Sequence, residues 1–399
     1  MLPRLWGNDN DQPVKNGTLT QNGTGKFSDI DSATLEYIKW LGCTHVWYTG
    51  LLRHSTQASE NGCTPSHPQF VKGKAGSPYA ICDYYDVNAY LADNPEDRMA
   101  EFEQLIKRTH DAGLKLIIDF VPNHVARDYG KTTRTEGHPV LGADDDKSVH
   151  WRAENDFFYY VGEKLTLPTP VPEGMAPYEE DPAMATGNNC YNPSPGINDW
   201  YETVKINYGD SHTSTWDKMY DIIDFWAGKG VDGFRCDVAS LVPLEFWLKA
   251  RGEVEKVREN CIWLSESIEH GFIRYIRSQG MTALSDSEIY QAFDIAYEYD
   301  VAGEFIDYLL KKRTLADYAK AINLQETIYP DNYVKLRFLE NHDRRRAHQL
   351  IADEKTLRVW TAFLYFQKGM TLIYNGQEVG AKHLPTLFDK DTIDWNGEF

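Results

Sequence analysis

Four stretches of the sequence close apolar runs with groups that can move protons or carry charge: DFVPNH (119–124), GFRCDVAS (233–240), WLSESIEH (263–270) and FLENHD (338–343). Each delivers a carboxylate, and three add a histidine. One such end is easily a structural ion pair, here Arg235 with Asp237, but four with the same polar theme call for a chemical reason. The chemistry that suits them is glycoside cleavage. It needs one protonated carboxyl to release the leaving oxygen and one ionised carboxylate to attack or support an oxocarbenium-like carbon. Arg235 lies two residues from Asp237, so on a strand the two side chains share a face, and a guanidinium there lowers an aspartate's pKa. Glu266, closing CIWLSE, is placed to be held protonated by desolvation. Residue chemistry alone leaves these roles interchangeable among several acids.

The elements that must position these ends share one plan: an amphipathic helix, a glycine and a short apolar strand. In NPEDRMAEFEQLIKRTHDAGLKLIIDF, Asn94 suits an N-cap and Pro95 the first helical position. Met99, Phe102 and Ile106 line one face, Gly113 ends the helix, and Leu114 to Val121 reads as a buried strand. Leu35, Ile38 and Leu41 repeat the plan before THVWY. Met219, Ile222, Ile223 and Trp226 repeat it before VDGFRCD, and Leu357, Trp360 and Leu364 before MTLIY. Strands this apolar are covered on both faces, as parallel strands under helices are. The alternation predicts an α/β fold, either a (β/α)8 TIM barrel or a doubly wound sheet. With no G-x-G-x-x-G after a strand and no P-loop pattern, the barrel leads. The C-terminal ends of barrel strands are the usual seat of catalysis, and the four polar stretches fall there.

Between about Val125 and Tyr201 the plan breaks into Pro-, Gly-, Asn- and Asp-rich sequence such as PTPVPEGMAPYEEDP. A structureless loop of that length inside a compact domain is improbable, so it reads as an irregular insertion after the third strand. The predicted division is a first part of the barrel at 1–124, the insertion at 125–200 and a second part of the barrel at 201–399. The segment from Gly7 to Lys26 is a polar loop whose Asn-Gly-Thr triplets read as turns.

Composition narrows the partners. Asp and Glu outnumber Lys and Arg by 60 to 41, a formal charge of −19, which argues against nucleic acid or an anionic membrane and mostly serves solubility. No apolar run approaches the ~18 residues of a membrane span, and MLPRLWGNDND lacks the pattern of a secretory leader. Six scattered cysteines, none in C-x-x-C, fit neither a disulfide framework nor a zinc site of that type. They lean towards a reducing, cytoplasmic setting, with localisation otherwise undetermined. Aromatic residues make up 13% of the chain; such rings stack on sugars, although a large core uses them equally.

In this order, the four stretches resemble the signature regions of the α-amylase superfamily of glycoside hydrolases. HVWYTG (45–50) is similar to its second-strand motif, SPYAICDYYDVN (77–88) to its tyrosine-containing loop, and GMTLIYNGQEVG (369–380) to its eighth strand. The resemblance spans nearly the whole chain. It implies Asp237 as nucleophile, Glu266 as general acid/base, and Asp343 as the group that binds the sugar's 2- and 3-hydroxyls and stabilises the transition state. It also implies His124 and His342 on the sugar at the cleaved ring, Tyr79 stacked on it, Arg235 positioning Asp237, Asp83 supporting the tyrosine loop and Asp119 supporting the site from below. Cleavage would be a double displacement with retention, on α-1,4 bonds of a starch-type α-glucan or maltooligosaccharide, with the two carboxyls ~5–5.5 Å apart. No cofactor enters that chemistry. Members often bind calcium between barrel and insertion through the asparagine at Asn123, with hard oxygen ligands. Asp9, Asn10 and Asp11 form a second oxygen cluster, for which a solvated turn is the preferred reading.

The pattern is departed from in places. Where many α-amylases carry Lys-His a few residues after the nucleophile, this chain has Ser240-Leu241. Val238 occurs at its position in relatives acting on α-1,6 as well as α-1,4 bonds, and PGIND (195–199) matches the insertion's signature only loosely. MLPRLWGN reads as the tail of a first strand, and TIDWNGEF stops where relatives continue into an eighth helix and a β-sandwich, so a fragment is expected. The competing readings are a transglucosidase, a non-catalytic glycan-binding relative, and a metal-dependent hydrolase built on Asp119, His124, His342 and Asp343.

Overall fold

The computed structural model describes residues 1–10, 12–131 and 134–396. Asp11 of the N-terminal cluster and the last three positions of the second barrel part lie outside it. The chain forms two compact units, one built from Met1–Asp232, Gly252–Cys261 and Thr386–Thr392, the other from Gly233–Arg251, Ile262–Pro385 and the stretch from Ile393. Among the described residues no helix is long and apolar enough to cross a membrane, and all six cysteines are free thiols.

In the first unit, β1 (His45–Tyr48) follows the helix Ser32–Trp40, whose N-cap Asp31 accepts from the Thr34 N–H and whose Leu35 and Ile38 are buried. An antiparallel pair, β2 (Leu52–His54) and β3 (Ile81–Val87), comes next. Asn94 caps a 3-10 turn over Pro95–Asp97 that leads into the helix Arg98–Asp111. That helix buries Phe102, Leu105, Ile106 and Thr109, with Met99 only half-buried at the edge of the face. Gly113, at φ 78°, makes the left-handed exit that favours glycine. It leads into β4 (Lys115–Phe120), which pairs in parallel with β1. The helix Ser214–Gly228 buries Met219, Ile222, Ile223 and Trp226 as its periodicity predicts, and Trp226 Nε1 donates to the Tyr84 carbonyl at 2.8 Å.

The irregular segment packs within this unit and is held by short ladders. β5 (His124–Ala126), β6 (Tyr159–Tyr160), β7 (Ala183–Met184) and β8 (Thr203–Lys205) form two antiparallel pairs, β5 with β8 and β6 with β7. The β5–β8 ladder clamps the segment at both ends and sets His124 opposite Lys205. The N-terminus departs from expectation. Pro3–Leu5 is a 3-10 turn, since Pro3 has no N–H to give a ladder. Met1 meets a strand edge, donating to the Trp47 carbonyl at 2.6 Å and accepting from the Thr49 N–H at 2.9 Å.

The second unit is a parallel sheet in sequence order: β9 (Gly233–Cys236), β10 (Ile262–Ser265), β11 (Ile295–Tyr297), β12 (Lys335–Arg337) and β13 (Met370–Thr371). The helices Tyr299–Leu309, Leu315–Ile328 and Glu354–Tyr365 accompany it, the last two started by Thr314 and Asp353, whose side chains accept from N–H groups of the first turn. Leu339, Ala347, Ile351, Leu357 and Leu364 form an apolar core against Phe305, Leu309 and Trp360. β12 departs from the expected apolar run, because Lys335 and Arg337 are both buried. Lys335 is paired with Asp286 and Asp300, and Arg337 lies 3.1 Å from Glu298. Buried charges persist only when paired in this way.

Candidate active site

Within the second unit, the ends of β9, β10 and β12 carry Asp237, Glu266 and Asp343. β9 and β10 run parallel with Cys236 opposite Ser265, and the Glu266 N–H donates to the Cys236 carbonyl at 3.0 Å. The two carboxylates therefore leave neighbouring strand ends together. Arg235, fully buried, donates from Nη1 to Asp237 Oδ1 at 2.7 Å, and its Nη2 lies 2.8 Å from Glu266 Oε2. Its Nε donates to the Tyr297 hydroxyl at 3.2 Å. Alternation along β9 puts Arg235 and Asp237 on one face, as the spacing predicts, and Cys236 is a buried thiol.

Asp237 and Glu266 are only 6% and 8% exposed, so both feel a low dielectric. Burial raises Glu266 to about 7; Asp237 and Asp343 push the same way, while Arg235 and the Val238 N–H oppose. Asp343 keeps 39% of its side chain exposed; the desolvation it does undergo would raise it, but His342, Arg235 and Arg344 outweigh that and hold its carboxyl well below the usual range. His342 Nε2 lies 2.9 Å from Asp343 Oδ2, and the Asp343 N–H donates to Asn341 Oδ1 at 2.9 Å. Environments that drive two acids apart in this way can supply one proton donor and one anion at the same pH. Arg344 lies over the Tyr299 ring at 4.3 Å and 3.1 Å from Glu269.

The first unit holds the remaining predicted residues. Half-buried Tyr79 brings its hydroxyl to 3.3 Å from Thr49 Oγ1. Asp83, on β3, accepts from the Tyr85 N–H at 2.9 Å and from Thr135 N–H and Oγ1 at 2.7 and 2.9 Å. Its carboxylate thus ties the strand that follows Tyr79 to a neighbouring loop, while burial raises its pKa. Asp119 is buried near the end of β4. His124 opens β5 and is held neutral, its pKa lowered to about 3 by burial and then by the charge of Lys205.

Asn123 does not suit a calcium ion. The Oδ1 that a hard cation would take accepts from Lys205 Nζ, and Nδ2 donates to the Gly187 carbonyl at 2.8 Å. Burial lowers Lys205 to about 7, so below that pH a dication here would meet the repulsion of an ammonium. Among the described residues, no group of three or more His, Cys, Asp or Glu is placed to hold a metal. At the N-terminal cluster, Asn10 Nδ2 donates to the Gln21 carbonyl at 2.9 Å and Asn10 Oδ1 accepts from the Gln12 N–H at 2.9 Å, a turn.

Sequence reading missed Tyr297 and Tyr299, which flank Arg235 and Arg344 from the end of β11. FDIAYEYD is a fifth apolar run closing in polar groups, and that was the available signal. Lys205 and the backbone conformation of Val238 were missed as well.

A family profile described as alpha amylase, catalytic domain, matches residues 15–396. The chain therefore belongs to the α-amylase family of glycoside hydrolases. The solved α-amylase of Lactobacillus plantarum superposes with a TM-score of 0.72 at 34% identity, covering 96% of this chain and 74% of that one. The fold is accordingly that family's (β/α)8 barrel. Alpha-amylase 2 of Dictyoglomus thermophilum is 22% identical over 89% of this chain and 50% of its own length. A probable oligo-1,6-glucosidase 3 of Bacillus subtilis is 23% identical over 93% and 65%, respectively. The chain thus spans half of one curated relative and 65% of the other.

Proposed function

We propose that the chain carries the catalytic machinery of a retaining glycoside hydrolase that cleaves α-glucosidic bonds in α-glucan or maltooligosaccharides. The observation that carries this reading is the single guanidinium of Arg235 set against both Asp237 at 2.7 Å and Glu266 at 2.8 Å. Two carboxyls close enough to share one cation fit the ~5–5.5 Å spacing of a nucleophile–acid pair better than the ~6.5–9.5 Å that makes room for an attacking water.

In the first step an Asp237 oxygen bonds to the anomeric carbon as the bond to the leaving oxygen breaks, and the proton of Glu266 passes to that oxygen. In the second, Glu266 takes a proton from water, the water oxygen bonds to the same carbon, and Asp237 is released. Two inversions give net retention. Asp343, kept anionic beside His342, supports the cationic carbon and binds sugar hydroxyls. His342, 2.9 Å from Asp343 Oδ2, holds the ring beside it. These two steps call on no metal, and Asn123 Oδ1 is engaged by Lys205.

A second reading, cleavage of α-1,6 bonds in short oligosaccharides, draws on one observation. Ser240 and Leu241 are both buried, and Ser240 Oγ accepts from the Ile268 N–H at 3.3 Å. Neither offers the charged leaving-side contact of a Lys-His pair, and a similar protein is named an oligo-1,6-glucosidase.

Chromatography of products from maltoheptaose and from isomaltose, for the native chain and for Asp237→Asn, tests both. Shorter maltooligosaccharides from the native chain alone support the first reading, and glucose from isomaltose alone supports the second. Turnover by Asp237→Asn equal to native would overturn both.

A further inference from the structure

Val238 has φ 37° and ψ 43°, inside the left-handed region. A β-branched residue there is a genuine outlier, and such strain persists only where the surroundings impose it. The turn aims the Val238 N–H at Glu266 Oε2, 2.9 Å away. Arg235 Nη2 lies 2.8 Å from that same oxygen. Oε2 is thus faced by two groups that donate and cannot accept, so a proton placed on it would be directed at other protons. Within this unit no described residue makes a hydrogen bond or ion pair with Oε1.

We propose, resting on the reading of Glu266 as general acid, that Val238 is a positioning residue whose left-handed turn confines the transferable proton to Glu266 Oε1. With Oε2 held by the Val238 hydrogen bond and paired with Arg235, the carboxyl cannot exchange its two oxygens by rotating without giving up that hydrogen bond and the close ion pair. Oε1 then gives its proton to the leaving oxygen in the first step and accepts one from water in the second. The charged and titratable groups acting on Glu266 are Arg235 and Asp237 from β9 and the residue after it, Asp343 beyond β12, and Tyr297 and Tyr299 at the end of β11. Burial and the carboxylates favour the protonated form. Arg235 and the Val238 N–H favour the ionised one.

The test replaces the amide at Val238 by an ester, using the α-hydroxy analogue of valine, which removes the N–H and keeps the side chain. Loss of a donor to the carboxylate should move the high-pH limb of kcat/KM upward by about one pH unit. Val238→Gly relaxes the backbone but keeps the N–H, so its limb should stay where it is. An unmoved limb in the ester chain, or an equal shift in Val238→Gly, would overturn the proposal. Glu266→Gln separates the two levels: full activity in that variant sinks the reading of Glu266 itself, whereas an inactive Glu266→Gln with an unmoved ester limb sinks only the role of Val238. Should the ester chain fail to fold, neutron diffraction from deuterated native crystals below pH 6 decides the matter. Deuterium on Oε1 is the expected result, and deuterium on Oε2 would refute it.

Discussion

Arg235 reaches Asp237 from two residues back along one strand, with Nη1 2.7 Å from Oδ1 and both groups nearly sealed from solvent. The pair is not isolated, because the other end of the same guanidinium meets Glu266. A planar fork can hold two carboxylates in fixed geometry, and a lysine ammonium, a point charge on a flexible stem, cannot. Arg235→Lys should keep a positive charge in the site yet lower kcat/KM on maltoheptaose by about 10²-fold or more, through lost orientation. Steady-state rates beside a thermal unfolding curve check this. A tenth or more of native activity in a folded Arg235→Lys chain would show that charge alone suffices.

Glu266 fixes the high-pH side of activity. Its carboxyl is raised to about 7, mainly by burial, and a general acid works only while protonated, so kcat/KM should fall as pH rises through about 7. Glu266→Gln should lose about 10²–10⁴-fold on maltoheptaose. Formation of the glycosyl-enzyme from an aryl α-glucoside with a good leaving group should be largely spared and should show no high-pH limb. The same shift carries a stability consequence. Between the unfolded value of ~4.3 and about 7, the folded chain holds a proton that the unfolded chain has lost. Stability therefore declines with rising pH across that window and levels off above it. Glu266→Gln removes this dependence, so its melting temperature relative to native should rise between pH 4 and pH 8. A constant difference across that range would mean that Glu266 ionises normally.

How much of this was legible beforehand follows from which residues announce themselves. Asp237 and Glu266 stand directly after apolar strands that themselves follow amphipathic helices, so their place at strand ends could be read from pattern alone. β12 could not be read so simply, because Lys335 and Arg337 occupy buried positions that an apolar pattern reserves for Val or Leu. Their partners Asp286, Asp300 and Glu298 lie far back in the chain. Lys205 becomes meaningful only once the β5–β8 ladder sets it opposite His124, 82 residues from Asn123 in one bond. The left-handed turn at Val238 has no sequence signature, since valine is among the residues least suited to it.

His342 governs the low-pH side. Partial desolvation would raise Asp343, and the neighbouring imidazole at 2.9 Å leads the opposition that holds it down. His342→Ala should let Asp343 take up a proton at higher pH, so the low-pH limb of kcat/KM moves upward. At its optimum the variant should lose about 10-fold or more, through weaker support of the charged transition state. A pH–rate profile from pH 3 to 7 reads both effects. An acid limb coincident with native would show that Arg235 and Arg344 hold Asp343 ionised without the histidine.

Lys205 sets the response to calcium. Its ammonium donates to Asn123 Oδ1, while Asn123 Nδ2 is committed to the Gly187 carbonyl at 2.8 Å and lies 3.0 Å from His124 Nδ1. With that oxygen taken by a cation of the chain's own, excess chelator should leave the melting temperature within about 1 °C of its starting value, and millimolar calcium should not raise it. Lys205→Met brings two terms into opposition. It leaves a buried amide oxygen unpaired, at ~1–3 kcal/mol, and it relieves the cost of burying the ammonium, which lowers the lysine's pKa to about 7. The first should win narrowly, lowering stability by ~1–2 kcal/mol and the melting temperature by a few degrees. Elemental analysis finding stoichiometric calcium in the native chain, or a calcium-dependent rise of several degrees, would show that Lys205 does not stand in for the metal.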